Sequence, residues 1–205
     1  MRSTQTERNK KQTPARNTFV AINFDDAIQE AIAQFQQELA LYLRNTRWVN
    51  KSQLHLTLLF LNSISSYWRK KVVENVKEMV EEVKPFFFDL CRLGVFPGPK
   101  KAKILWLGVQ DPGLLTQFNK TLCRRLSCEG IQVDPRPFTP HITLGRAEKG
   151  FFPKENIKLL LKKYEKINLG KVKCDSIAIM ESELQSKGAV YRVIENIYLS
   201  NQQDV

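Results

Sequence analysis

The sequence HLTL at positions 55–58 recurs as HITL at positions 141–144, and the histidines of these two stretches are the only ones in the chain. In both stretches an aliphatic residue follows the histidine and another follows the threonine, which is typical of a half-buried β-strand. Because side chains alternate across a strand, the histidine and the threonine share one face and the aliphatic residues fill the other. Each motif is therefore expected to present an imidazole beside a hydroxyl group, with a hydrophobic core behind them.

The segments around the first motif predict alternating strands and helices. Asp25 and Asp26 mark the start of one helix, Ser65 or Ser66 can cap the next, and Pro85 ends it. The predicted elements are a strand at 18–23, a helix with Ile28, Ile32, Phe35, Leu39 and Leu43 on its core face, a loop at 45–53, the motif strand at 54–61, a helix with Trp68, Val72, Val76, Met79 and Val83 on its core face, and a strand at 86–93.

A linker at 95–103, rich in proline, glycine and lysine, precedes a second set of elements in the same order. This set comprises a strand at 104–109, a helix at 112–127, a proline-rich loop, the motif strand at 141–145, a helix that starts at 152–153, a strand at 174–182, and a turn at 186–188 that leads into a last strand at 189–199.

The spacing of the two sets predicts an internal duplication. Phe19 precedes His55 by 36 positions (19 to 55), and Ile104 precedes His141 by 37 (104 to 141). The repeats are placed at about 18–93 and 104–182, with a closing hairpin at 174–199. Each repeat alone has a small sheet that must bury one face, so the two are expected to pack as one bilobal domain, 18–205, with both motifs in a central cleft.

The composition is that of a globular protein with an excess of positive charge. Of the 205 residues 42% are hydrophobic, and 32 basic residues against 21 acidic ones give a formal net charge of +11. This excess favours polyanionic partners such as RNA, because basic side chains neutralise phosphates. Residues 1–17 are polar and basic without a periodic apolar face, and we expect a flexible tail there.

The cysteines and the hydropathy pattern indicate a cytoplasmic protein. The four cysteines form no C-x-x-C pair and stand at no metal-ligand spacing with a histidine, as expected for reduced thiols. No apolar run approaches the roughly 20 residues of a membrane-spanning helix, and the N-terminus lacks the apolar core of a secretory signal. No membrane partner, metal or cofactor is expected, and a monomer is the default.

Two histidines in matching motifs point to paired proton transfer. An imidazole can give or take a proton near neutral pH, so a facing pair can act as general base and general acid. Each threonine hydroxyl can donate a hydrogen bond to charge that develops on a phosphoryl oxygen. These groups suit in-line displacement at phosphorus without a metal, but they do not determine which histidine is the acid.

The motifs and their flanks resemble the 2H phosphoesterase superfamily, and within it the RNA 2′,3′-cyclic phosphodiesterase group that was formerly called 2′-5′ RNA ligases. The resemblance runs from Phe19 to Leu199 and rests on both motifs, on RWV at 47–49, on FPGP at 96–99 with ILWLGV at 104–109, and on FTPHITLGR at 138–146. It implies a bilobal α+β fold in which two antiparallel sheets flank a central cleft and the helices lie outside.

The resemblance also implies an activity: metal-independent hydrolysis of RNA 2′,3′-cyclic phosphate ends to 2′-phosphates. His55 and His141 match the family's proton donor and acceptor, Thr57 and Thr143 match its phosphate-binding hydroxyls, and Arg146 matches a position linked to phosphate. The alternation of a regular strand would turn Arg146 away from the motif face unless the strand bends at Gly145, and a surface or interlobe salt bridge is the alternative for this arginine. The sequence departs from the family at Asn62, where a glycine is common, although asparagine tolerates a left-handed turn.

Further residues near the motifs are candidates for contacts with RNA. Phe60, Phe138, Trp48 and Tyr191 could stack an RNA base or ribose, although aromatic residues in strands are more often part of a core. The linker contains Lys100, Lys101 and Lys103. These lysines could attract RNA towards the cleft, or they could belong to a solvated loop without a role in binding. Two other functions stay open from the residues: ATP-independent 2′-5′ RNA ligation in the same cleft, and an RNA-binding module that holds phosphate without turnover.

Overall fold

A computed structural model of the chain describes residues 16–110, 113–185 and 188–200. This part of the chain forms nine strands and four α-helices. In chain order these are β1 (Arg16–Asn23), α1 (Asp26–Ala40), β2 (Thr46–Trp48), β3 (His55–Phe60), α2 (Ser66–Val80), β4 (Phe86–Phe96), β5 (Ile104–Gln110), α3 (Leu114–Cys128), β6 (His141–Ala147), α4 (Lys154–Lys163), β7 (Asn168–Cys174), β8 (Ser176–Gln185) and β9 (Gly188–Tyr198).

All strand pairs are antiparallel and follow the order β7-β4-β5-β6-β3-β1-β8-β9, with β2 added to β6. The two motif strands, β3 and β6, are neighbours at the centre and pair through Leu56 and Ile142. The predicted antiparallel α+β fold is confirmed, and the two predicted sheets are joined through β3 and β6 as the wings of one nine-stranded sheet. The first wing is β3-β1-β8-β9, and the second is β6-β5-β4-β7 with β2.

The two predicted repeats exchange strands across this centre. β4 follows the first motif in sequence but pairs with β5 in the second wing, and β8 follows the second motif but pairs with β1 in the first wing. Corresponding strands of the repeats therefore occupy corresponding places in the two wings. Since each wing contains strands from both repeats, neither repeat completes a sheet with its own strands.

The helices pack their apolar faces against one side of the sheet. Asp25 caps α1 by accepting a hydrogen bond from the Ile28 N–H at 2.8 Å, and Ser65 caps α2 by accepting one from the Trp68 N–H at 3.4 Å. The aliphatic residues of the motifs, including Leu56 and Ile142, are fully buried in the resulting core. The other side of the sheet, which carries the histidines, remains open. In the part of the chain that the structure describes, every helix is too short or too polar to cross a lipid bilayer.

Several predicted boundaries are wrong. Arg16 and Asn17 belong to β1 and not to the tail, and residues 1–15 of that tail lie outside the described residues. The predicted loop at 45–53 contains β2, which at three residues is too short to show a period. β4 continues through Phe96 into the predicted linker, because its paired partner β5 extends equally far.

The strand predicted at 174–182 corresponds to β8, and the strand before it, β7, was not predicted. β7 ends at Cys174 and β8 begins at Ser176, and the polar, exposed alternation of β7 at the edge of the sheet concealed it in the sequence. Two helices start later than expected, at Leu114 and Lys154. Pro112 and the turn residues 186–187 lie outside the described residues.

Candidate active site

Each motif strand contains a β-bulge directly after its threonine. In β3, Thr57 pairs with Ala21, but the next partner of β1, Val20, pairs with Leu59. In β6, Thr143 pairs with Trp106, and the next partner of β5, Leu105, pairs with Gly145. Leu58 and Leu144 are thus the extra residues at the same place in the two repeats, and a bulge of this kind bends the strand and re-aims the side chains that follow.

Because of the bulge, one further side chain of each motif strand faces the cleft. One extra residue reverses the alternation, so Phe60 joins the face of His55 and Thr57, and Arg146 joins the face of His141 and Thr143. The exposure pattern along the strands agrees, since these are the accessible positions and the intervening residues are buried. Arg146 therefore lies on the motif face even though regular alternation would place it on the opposite one.

These side chains surround one cavity of about 180 Å³. Both histidines and both threonines line it together with Arg146 and Phe60, and the wall is completed by Phe19, Val49, Gln53, Ser182 and Tyr191. No local pattern marked Gln53 or Ser182 for this wall. Ser182 lies on β8, which reaches the site by pairing with β1, and the Gln53 amide donates to the Ala189 carbonyl oxygen of β9 at 2.7 Å.

Backbone carbonyl groups orient both imidazoles in the same way. His55 Nδ1 lies 2.7 Å from the Gln53 carbonyl oxygen, and His141 Nδ1 lies 2.7 Å from that of Thr139. A carbonyl oxygen only accepts, so each Nδ1 carries a proton and donates it, and Nε2 is the atom available for proton transfer. In the neutral ring, His55 Nε2 accepts a hydrogen bond from the Thr57 hydroxyl at 3.0 Å.

Two aromatic rings pack against each imidazole. Phe19 and Tyr191 lie with ring centroids 5.1 and 5.2 Å from that of His55. Around His141, the corresponding distances are 5.0 Å to Phe96 and 6.1 Å to Trp106. These rings restrict each imidazole and keep water from its faces.

This environment favours the neutral form of both histidines. Burial lowers the pKa of His55 below its usual value, and the charge that His141 can carry adds to this effect. Burial also lowers the pKa of His141, with a further contribution from the positive charge of Arg146. The hydrogen bond from Nδ1 to a carbonyl opposes the shift in each case. The two imidazoles are thus electrostatically coupled, and a protonated ring next to a neutral one is the arrangement that acid/base catalysis needs.

The aromatic and basic residues that the sequence suggested for RNA binding lie in different places relative to the cavity. Phe60, which is 43% exposed, and Phe138 line an adjoining groove of about 650 Å³ that also reaches Thr57, His141 and Lys103. Tyr191 lines the smaller cavity. Trp48 packs against the core and lies against Gly145, so the structure does not bring it to the cavity or the groove. Lys100 and Lys101 occupy an exposed turn outside both.

Asn62 adopts the left-handed conformation that the sequence suggested for it, with φ of 55°. Its carbonyl accepts a hydrogen bond from the Thr18 N–H at 2.7 Å, so the turn after the first motif remains tied to β1. Among the described residues, no three histidine, cysteine, aspartate or glutamate side chains come close enough together to hold a metal ion.

Comparison with known proteins adds a family to this geometry. The model of the AKAP7 2′5′ RNA ligase-like domain matches residues 17–199. A protein of Aquifex aeolicus named RNA 2′,3′-cyclic phosphodiesterase is 31% identical over 183 residues, which cover 88% of this chain and 96% of that protein. A protein of the same name from Methanothermobacter thermautotrophicus is 24% identical over 177 residues, with coverages of 86% and 95%.

A solved structure with the same fold is Escherichia coli LigT complexed with 3′-AMP. Its TM-score is 0.72 at 23% sequence identity, and the match covers 91% of this chain and 99% of that one. At 23% identity this structural similarity shows the fold alone. The relatives described above are similar to this chain in sequence as well.

Proposed function

The chain belongs to the AKAP7 2′5′ RNA ligase-like domain family, and from this membership we infer that it is an RNA 2′,3′-cyclic phosphodiesterase. Its curated relatives carry that name and align over most of both chains. The observation that carries the proposal is the shared cavity, into which two equally oriented imidazoles, two threonine hydroxyls and one guanidinium converge.

The proposed reaction is hydrolysis of the cyclic phosphodiester by in-line attack of water. One imidazole takes a proton from the water through Nε2 while the new O–P bond forms. The P–O3′ bond breaks on the opposite side, and the other imidazole, protonated beforehand, gives its proton to the departing 3′ oxygen. The product carries a 2′-phosphate and a free 3′-hydroxyl group, and the pair of histidines has exchanged protonation states.

Thr57, Thr143 and Arg146 are proposed to hold the phosphate. The hydroxyl groups can donate to non-bridging oxygens, and the guanidinium can neutralise the charge that grows on them. In the ligand-free site the Thr57 hydroxyl donates to His55 Nε2 at 3.0 Å. When this hydroxyl rotates to donate to the phosphate, Nε2 becomes free to accept a proton.

The groove next to the cavity is proposed to receive the RNA that carries the cyclic end. Phe60 and Phe138 offer faces for stacking of a base or ribose, and Lys103 lies along the same groove, where it can meet a backbone phosphate. Tyr191 is proposed to contact the substrate from the other side of the cavity. Trp48 is not included, because it packs against the core.

Hydrolysis is favoured over the alternatives. Both relatives described above are named for hydrolysis and not for 2′-5′ ligation. Binding of RNA phosphate without turnover would be better served by further arginine or lysine side chains than by two buried imidazoles. The cytoplasmic location and the monomeric state expected from the sequence stay predictions.

A direct test is incubation of the protein with a short oligoribonucleotide that ends in a 2′,3′-cyclic phosphate, with and without EDTA. We expect a 2′-phosphate end, formed at the same rate in both samples. An otherwise identical oligonucleotide with a 3′-phosphate end is the control and should not change. Binding without conversion would contradict the proposed activity, and loss of conversion with EDTA would contradict the metal-free mechanism.

A further inference from the structure

We propose that Gln36 of α1 and Asn119 of α3 are positioning residues, whose amide groups hold the bulges of the two motif strands and thereby keep Arg146 and Phe60 in the cleft. The proposal rests on the proposed function for its kinetic consequences, but its structural part concerns the strands alone. Neither residue belongs to the motifs, and neither is close to them in the sequence.

Gln36 holds the bulge of β6. Its Nε2 donates to the Leu144 carbonyl oxygen at 2.8 Å and to the Val49 carbonyl oxygen at 2.9 Å. The Val49 N–H donates to the same Leu144 oxygen at 2.9 Å. Gln36 is only 7% exposed, although the helix around it is rich in aliphatic core residues. One buried amide thus ties α1, the chain after β2 and the bulge of β6 together.

Asn119 makes the corresponding contact in the other half. Its Nδ2 donates at 2.7 Å to the carbonyl oxygen of Leu58, the extra residue of the β3 bulge. Leu58 and Leu144 are equivalent residues of the two motifs, and both are buried. The contacts cross between the repeats: α1 of the first repeat supports the second motif, and α3 of the second repeat supports the first.

The need for an amide follows from the bulge itself. The extra residue of a bulge is left out of the regular ladder, so its carbonyl group needs another donor. Without the Gln36 amide, the Leu144 oxygen keeps only the Val49 N–H, and the Val49 oxygen loses its side-chain donor. A buried carbonyl that loses its donor costs about 1–3 kcal/mol, and a strand that regularised to avoid this cost would lose the reversed alternation. Arg146 and Phe60 would then turn away from the cavity, whereas His55, Thr57, His141 and Thr143, which precede the bulges, would stay.

The first test uses no activity. The chain has two histidines, so their ring protons can be followed by NMR during a pH titration. Arg146 lowers the pKa of His141, so Gln36→Met, which removes the donor but keeps the size, should raise the pKa of His141 as Arg146→Ala does. The pKa of His55 should not rise, because the charge on His141 lowers it. Asn119→Leu should not raise the pKa of His141. The exposed neighbour Gln37 supplies the matched control, Gln37→Met, which should change neither histidine.

The second test is kinetic, with the cyclic-phosphate oligonucleotide. Gln36→Met should lower kcat/KM by about tenfold, since small misplacements of a binding group are costly. The loss should shrink to less than about threefold in an Arg146→Ala background, because residues that act through one another do not contribute additively. Asn119→Leu should lower kcat/KM by the same factor in the wild-type and Arg146→Ala backgrounds. A merely structural role for Gln36 would give equal losses in both backgrounds.

A third variant covers the case in which Gln36→Met does not fold. Gln36→Glu has the same shape but donates only when protonated, and burial among carbonyl oxygens raises the pKa of such a carboxyl group. Its activity relative to the wild type should therefore increase as the pH falls from about 8 to about 6.

An unchanged His141 pKa in Gln36→Met, or a flat activity ratio for Gln36→Glu, would overturn the proposal. Absence of turnover by the wild type would overturn the proposed function instead, and the NMR titration would still decide the role of Gln36.

Discussion

At the scale of single residues, the proposed mechanism assigns the acid and the base of one reaction to two side chains of the same chemical type, His55 and His141. Each Nδ1 is occupied by a backbone carbonyl, so Nε2 is the atom that can exchange a proton with substrate. The motifs were sufficient to predict these side chains and their threonines. Tyr191, which packs against His55, was among the aromatic candidates. Phe19 and Trp106 were not, because they lie on neighbouring strands that reach the motifs through pairings that no local pattern encodes.

The lowered histidine pKa values predict the position of the pH optimum. Burial lowers both values below 6.5, and activity needs one protonated and one neutral ring, a state that is most populated between the two values. The bell-shaped profile of kcat/KM, which reports the free enzyme, should therefore have its maximum below about pH 6.5.

Arg146→Ala removes a positive charge beside His141, so the pKa of His141 should rise and one limb of the profile should move to higher pH. Steady-state assays across the pH range would check both results. A maximum above pH 7 for the wild type, or a shift to lower pH in the variant, would contradict the electrostatic account.

At the scale of elements, the decisive feature is the bulge that follows each motif threonine. Alternation along a strand correctly predicted that each histidine shares a face with its threonine, but the same alternation placed Arg146 on the wrong face. A bulge depends on the partner strand and on the donors that meet its carbonyl, here the Val49 N–H and the amide of Gln36, so no periodicity within β6 could reveal it. The short strand β2 was missed for a related reason, since it is defined by its pairing with β6, which is distant in the sequence.

The pairing of β2 with β6 depends on the absence of a side chain at Gly145. A Cβ atom there would lie 2.7 Å from Thr46 Cγ2 and 3.0 Å from Trp48 Cε3. Gly145→Ala should therefore push β2 away and lower the free energy of unfolding by about 1–3 kcal/mol, as overpacking does elsewhere. Urea denaturation would measure the change. Gly98→Ala is the control, because a Cβ at Gly98 meets nothing within 4 Å, and equal stability of the two variants would contradict this prediction.

At the scale of the whole molecule, the two repeats form one sheet whose centre is the pair of motif strands. The order of elements and the similar motif offsets of 36 and 37 predicted that the two motifs face one cleft, and both motifs line one cavity. The internal duplication stays a prediction. The exchange of β4 and β8 between the wings was not predicted, because which strands pair is determined by the assembled sheet and not by their order along the chain. The motifs face one cavity because β3 and β6 are neighbours at the centre of this sheet and pair through Leu56 and Ile142.

The central claim is that His55 and His141 act as one acid/base unit, and single-turnover rates of three variants test it most directly. His55→Asn and His141→Asn retain an N–H that can donate to the carbonyl oxygen bound by Nδ1, but they remove Nε2. Each should lower the rate constant for cleavage of the cyclic phosphate by about 10³-fold. The double variant should be no slower than the slower single one, since groups that act together do not contribute additively. Near-normal turnover in either single variant, or losses that multiply in the double variant, would contradict the account.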